Sequence, residues 1–200
     1  MKIVVSGSDL AFEELTKAQS QIKWIRETDA DAFINHVNAD AFFNLWETAF
    51  TFDYLNLQAP IFINSVDKAG VSNKNIIRIN GWNGFLEKST WEICGEINEK
   101  VQAVLVALDK KYIVTADEPG FISPRTIAMI INEAFLAKEE NISTADEIDV
   151  AMKLGTNYPY GPFEWSEKIG LKNIYNLLHQ LSLSDKKYTP ASSIKNQVNA

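Results

Sequence analysis

Cysteine is almost absent from this sequence. A single thiol, Cys94, rules out an internal disulfide and suits a reducing compartment. Histidine is nearly as scarce. With only His36 and His179 beside one cysteine, no structural zinc site is expected. Basic clusters are missing too. The formal net charge is −7, and phosphate-rich partners need grouped Lys and Arg, so nucleic acid and acidic membrane surfaces are disfavoured. The opening "MKIVVSGSDL" holds an apolar run of only three residues, too short for a signal peptide or a membrane span. Together these absences point to a cytoplasmic protein without a metal.

What is present is ordinary for a globular chain. The 200 residues are 46% hydrophobic and 22% charged, enough to bury a core without staples. "KIVVSG" predicts a buried first strand ending at Gly7. "DLAFEELTKAQ" has helical spacing, with Asp9 as its expected cap. "IKWIRE" reads as a second strand and "AFINH" as a third, whereas "ADAFFNLW" reads as helix. Only "TDAD" separates those two strands, and a parallel crossover needs about a dozen residues or more. Either the two runs form a tight antiparallel pair or one of them is not a strand. "PIFINSV", "NIIRIN", "TWEICG" and "YIVTA" are further strands, with a helical stripe in "NEKVQAVLVALDKK" before the last. Strands alternating with helices indicate an α/β domain with a mostly parallel sheet. The aromatics Trp46, Phe50, Phe52 and Tyr54 read as core under a loop.

After Asp117 the pattern changes to helix. Ser123 is a natural N-cap and Pro124 suits the first helical position. "STADEIDVAMKLG" carries a capping box, Thr144 with Glu147, and Gly155 as its stop. "YPYGPF" is a rigid connector, followed by short helices in "EWSEKIG" and "KNIYNLLHQL". The tail from Ser184 is polar and expected to fray, although Tyr188 could dock it. The expected organisation is an α/β domain over 1–117, a helical domain over 118–183 and a polar tail over 184–200.

The second half resembles the C-terminal domain of the 3-hydroxyacyl-CoA dehydrogenases, the family of 3-hydroxybutyryl-CoA dehydrogenase. "DEPGFISPR", "NEAF", "EIDVAMKLG" and "GTNYPYGPFEWSEKIGL" carry the resemblance, in family order, over residues 117–171. More weakly, "DADAFINHVNADAFFNLWETA", "IFINSV" and "NGWNGF…TWEI" are similar to the family's first half. The resemblance implies a Rossmann-like N-terminal domain, reduced in length, followed by an all-α domain through which the chain forms a homodimer. It implies NAD as cofactor, an acyl-CoA-type small molecule as ligand and fatty acid metabolism as the setting. An anionic CoA ligand would still need a local basic pocket.

The family oxidises a 3-hydroxyacyl-CoA. A histidine takes the hydroxyl proton and a glutamate orients it, while serine and asparagine position the substrate. Carried over residue by residue, the resemblance sets Asn83 in the base position, Glu92 in the orienting position and Ser65 at the substrate serine. Neither His36 nor His179 falls at a family position. Glu92 could equally be a solvent-facing strand residue, and Ser65 a turn serine. The fingerprint G-x-G-x-x-G reads "GSDLAF" here: Gly7 fills the first place, while Asp9 and Phe12 fill the others. Glu27, 20 residues past Gly7, stands where a carboxylate would hold the ribose. Pro124 replaces the family's substrate-touching asparagine, and Arg125 is kept. With glycine turn, base and asparagine all replaced, the expectation is that NAD is not bound. Three readings follow: a catalytically degenerate relative acting as a binding or assembly subunit, an active NAD-dependent dehydrogenase, or a purely structural dimer.

Overall fold

The computed structural model describes residues 1–17, 21–46, 57–70 and 73–200. It divides into two compact units, Met1–Phe121 and Ile122–Ala200. The aromatics Phe50, Phe52 and Tyr54 lie outside the described residues.

The first unit is Rossmann-like. Its strands are β1 (Lys2–Ser6), β2 (Lys23–Arg26), β3 (Ala41–Asn44), β4 (Ile61–Asn64), β5 (Ile76–Ile79), β6 (Thr90–Cys94) and β7 (Lys111–Val114). They form one seven-stranded sheet in the order β2-β1-β3-β4-β5-β6-β7, parallel except where β6 runs against β5. Helices α1 (Asp9–Thr16) and α3 (Glu99–Ala107) cover one face. There Ala11, Leu15, Val101, Val104 and Leu105 pack on Ile3, Val5, Phe43 and Phe62. The short α2 (Ala30–Ile34) covers the other, with Phe33 against Val4, Phe42 and Ile61.

Two segments exchange the roles expected of them. "AFINH" is not a strand: it forms α2, because Asp29 accepts the Ala32 N–H at 2.9 Å and starts a helical turn. "ADAFFNLW" is not a helix: its middle, "AFFN", is β3, buried at every position between parallel β1 and β4. A short, unbroken apolar run fits a doubly covered strand as well as a buried helix, so periodicity could not separate them. The exchange also settles the crossover. Residues 27–40 now lie between β2 and β3, long enough for the chain to pass over β1.

The second unit is all helix: α4 (Ser123–Glu139), α5 (Ala145–Thr156), α6 (Pro162–Ile169), α7 (Leu171–Ser182) and α8 (Ser192–Val198). At the start of α4 the cap position falls on Ile122 rather than Ser123, so Pro124 is one residue further in. The Thr144–Glu147 capping box forms as expected. The stop of α5 lies beyond Gly155: the helix runs to Thr156, and Asn157 ends it at φ 56°.

The tail does not fray. Asn132 in α4 donates to the Thr189 carbonyl at 3.0 Å and accepts from the Ala191 N–H at 2.8 Å. That lets Ala191 and Ile194 bury themselves in the helical core. A tail of polar average composition needs only two such anchors, which composition alone does not reveal.

The motif residues of this unit build a joint between α5 and α6. Asp149 is 8% exposed, and its two carboxylate oxygens accept the Phe163 N–H at 2.8 Å and the Glu164 N–H at 3.1 Å. It thus caps α6 from a neighbouring helix. Gly161 passes so close that a Cβ there would lie 2.3 Å from the Asp149 carboxyl carbon. Pro162 opens the helix where an N–H is dispensable.

Four carboxyls of this unit are held below their ordinary range: Glu139 by Ser193, Glu147 by Ser143 and Thr144, Glu164 by Lys153 and the Gly161 N–H, and Asp185 by Lys187. A carboxyl whose folded pKa is depressed adds stability above its unfolded pKa and loses it as pH falls through the folded value. The helical unit is therefore expected to weaken as pH drops below about 4.5, the ordinary glutamate value. Thermal melts followed at 222 nm, at pH values from about 6 to about 3, check this. A flat midpoint across that range contradicts it.

Candidate functional site

In an open parallel sheet, ligands bind outside the carboxyl ends of the strands where the winding reverses. Here that point lies between β1 and β3, since the chain first goes from β1 out to β2 and then returns to the other side. Gly7 ends β1. A Cβ on it would sit 2.9 Å from the Leu45 Cβ, so the close approach of the chain after β3 already requires glycine.

Ser8, not Asp9, caps α1. Its Oγ accepts the Ala11 N–H at 3.2 Å because its own backbone is extended, whereas Asp9 is already helical. The Asp9 carboxylate instead meets the Arg26 guanidinium at 2.5 Å. Arg26 also donates to the Gly7 carbonyl at 3.2 Å and lies 5.2 Å over the Phe12 ring. One side chain thus reaches all three fingerprint positions. Sequence reasoning missed it, although its place at the end of β2, paired with Val5, is the signal.

Glu27 is tied in two ways. Its N–H donates to the Val5 carbonyl at 2.9 Å, and its carboxylate meets His36 Nε2 at 2.7 Å. His36 thus comes to the sheet end beside β1. From just beyond β3, the Trp46 indole N–H donates to Ser6 Oγ at 2.9 Å and links the ends of β1 and β3 at the reversal point.

Ser65 follows β4, Asn83 lies beyond β5, and Glu92 is in β6, where its neighbour Ile93 pairs with Ile79, the last residue of β5. Ser65 Oγ donates to the Lys68 carbonyl at 3.2 Å, as a turn serine does. Asn83 sits in a turn held from both sides. Gly81 N–H donates to Asn64 Oδ1 at 3.1 Å, and Gly84 N–H reaches the buried Glu14 carboxylate at 2.7 Å.

The "DEPGF" segment wraps around one buried arginine. Arg78 is 1% exposed. Its guanidinium pairs with Asp117, donates to the Ser65 carbonyl at 2.9 Å and the Glu118 carbonyl at 3.2 Å, and faces the Phe121 ring at 5.0 Å. Gly120, at φ 96°, lets the chain turn so that its N–H meets the Val66 carbonyl at 2.7 Å. Cys94, opposite Arg78 in the ladder, has its thiol pushed up by burial and then by Asp117.

The family model for the 3-hydroxyacyl-CoA dehydrogenase C-terminal domain matches residues 120–200. The match covers the second unit and less than half of the chain. The 3-hydroxyadipyl-CoA dehydrogenase of Escherichia coli (strain K12) is 41% identical over 88 residues, 43% of this chain and 18% of that protein. The probable 3-hydroxybutyryl-CoA dehydrogenase of Bacillus subtilis (strain 168) is 34% identical over 102 residues, 50% of this chain and 36% of that one. The chain thus aligns with about a fifth to a third of these relatives' lengths. The fold likeness is wider. The crystal structure of (S)-3-hydroxybutyryl-CoA dehydrogenase from Ralstonia eutropha superposes with a TM-score of 0.69 at 18% identity, covering 99% of this chain and 93% of that one.

The motifs that carry the family resemblance do structural work in this chain. Asp149 and Gly161 form the helix joint, and Asp117 to Phe121 close the first unit over Arg78. Among the described residues no helix is long and apolar enough to cross a membrane.

Proposed function

We propose that this chain is a 3-hydroxyacyl-CoA dehydrogenase relative that has lost hydride-transfer chemistry and serves as a binding or assembly subunit. One observation carries the reading: Arg26 engages Gly7, Asp9 and Phe12 together, at the turn where a dinucleotide's pyrophosphate would rest. That pyrophosphate needs free N–H groups at a helix start and backbone close enough to touch. Here Ser8 takes one N–H, Asp9 adds a carboxylate, and Trp46 spans the neighbouring strand ends. NAD is the family's cofactor, and these residues do not fit it. At the base position Asn83 offers an amide, which takes no proton at neutral pH.

The ligand class that suits this reading is an acyl-CoA-type small molecule, and the setting is cytoplasmic. A homodimer through the helical unit is supported by the apolar residues Val150 and Leu154, exposed on α5. The active-dehydrogenase reading rests on Glu92, which stands in β6 at the family's orienting position. An assay of NADH formation from NAD and 3-hydroxybutyryl-CoA separates the two. A flat trace at high protein concentration is expected, because a positioned base is worth about 10²–10⁴-fold. NADH production that Glu92→Gln abolishes overturns the proposal.

A further inference from the structure

The sequence holds two Asn–Gly steps, Asn80–Gly81 and Asn83–Gly84, and both fall in "NGWNG". Such a step is prone to lose its amide, because glycine sets no Cβ in the way of its own nitrogen. In that reaction the glycine nitrogen attacks the asparagine Cγ. The bond from Cγ to the side-chain nitrogen breaks, and ammonia leaves with the glycine N–H proton. A five-membered imide closes, and one water then opens it at either carbonyl to give aspartate or isoaspartate.

The fold holds the Gly84 nitrogen from outside the turn. Its N–H donates to both carboxylate oxygens of Glu14, at 2.7 and 2.8 Å, and Glu14 on α1 is only 8% exposed. The turn itself is tight: the Phe85 N–H meets the Trp82 carbonyl at 3.0 Å, and Gly84 has φ 87°. A positive φ at the third residue makes this a type II turn, in which ψ of Asn83 lies near about +120°. There the Gly84 nitrogen points away from the Asn83 Cγ. The imide closes only after the 83–84 peptide turns over, and turning it over breaks the charge-assisted bonds to Glu14.

The neighbouring step is held differently. Gly81 N–H donates to Asn64 Oδ1 at 3.1 Å, and a Cβ on Gly81 would stand 2.7 Å from the Asn64 amide carbon. Asn80 Oδ1 accepts the Trp82 N–H at 3.3 Å, so this amide is engaged in its own turn. Asn80 is 6% exposed, whereas Asn83 is half-buried and open to the water that completes the reaction. The two steps share one sequence and one loop, and only Asn83–Gly84 is held by a carboxylate.

We propose that Asn83–Gly84 is a self-modification site that Glu14 holds closed. When the Gly84 N–H leaves the Glu14 carboxylate, Asn83 converts to aspartate or isoaspartate, and an amide becomes a carboxylate. On the reading of Asn83 given above, this sets a proton acceptor in the base position. The conversion itself needs no ligand, enzyme or oxidant.

The test ages the full chain at mildly alkaline pH, folded and in urea, and follows each step by peptide mass spectrometry. Fragment masses assign the change to Asn80 or to Asn83, and the readout is independent of NADH formation. Folded wild type is expected to convert Asn83 at least about tenfold more slowly than the denatured chain, as the hold of a charge-assisted hydrogen bond implies. Glu14→Ala is expected to raise the folded rate at Asn83 by about tenfold or more, and the rate at Asn80 by much less. Glu14→Gln keeps one carbonyl acceptor and should fall between wild type and Glu14→Ala. If Glu14→Ala fails to fold by circular dichroism, Glu14→Gln and the folded-against-denatured comparison decide. Equal rates at Asn83 in folded and denatured wild type overturn the proposal. So do folded Glu14 variants that leave the Asn83 rate unchanged or raise both steps alike.

Discussion

Replacing Arg78 with alanine is expected to cost the first unit about 3–5 kcal/mol of stability. The side chain is 1% exposed, and its guanidinium satisfies four groups at once: Asp117, the Ser65 and Glu118 carbonyls and the Phe121 ring face. Its loss leaves two carbonyls without their donor and a cavity where a long side chain lay. Asp117 is 40% exposed and can turn to water, so the anion itself adds little to the loss. The opposite deletion, Asp117→Ala, leaves a buried cation with carbonyl acceptors only, and is expected to cost a similar amount. Urea unfolding followed by tryptophan fluorescence, which reports on Trp82 and Trp91 in this unit, measures both changes. A loss below about 1 kcal/mol for Arg78→Ala contradicts the clamp.

In the helical unit the largest expected effect is at the α5–α6 joint. Asp149→Ala strands two N–H groups at the start of α6 and is expected to cost about 2–4 kcal/mol, as the loss of a charge-assisted cap does. Gly161→Ala should cost as much by another route, since its Cβ would stand 2.3 Å from the Asp149 carboxyl carbon. The two routes share one atom group, so the costs should not add. Asp149→Ala keeps a Cβ that would stand 2.4 Å from one at position 161, so the cycle uses Asp149→Gly: with carboxyl and Cβ both gone, the double variant should be little worse than Asp149→Gly alone. Chemical unfolding of the four proteins tests this coupling. Additive costs contradict the view that Gly161 is required by Asp149.

The fold was legible where local chemistry and pattern agreed. "KIVVS" could only be a buried strand, the stripe of Val101, Val104 and Leu105 a helix, and Thr144 with Glu147 a helix start. The fold was illegible where two structures share one pattern. "AFFN" fits a strand covered on both faces as well as a buried turn of helix, and only the neighbours β1 and β4 decide. The missed site residues were long-range partners. Arg26 is separated from Gly7 by a helix and a strand, and the join between Glu27 and His36 depends on where α2 lets the chain return. Asp9 in a glycine place of the fingerprint is visible in the sequence, whereas the arginine that pairs with it is not. Ser65, Asn83 and Glu92 are named by the family pattern alone.

The central claim is that this chain's own side chains fill the seat of a dinucleotide. Isothermal titration of the full protein with NAD and NADH addresses it most directly. The account predicts no saturable heat up to millimolar ligand, a dissociation constant weaker than about 1 mM. Saturation with a constant near about 10 μM for either nucleotide would contradict it.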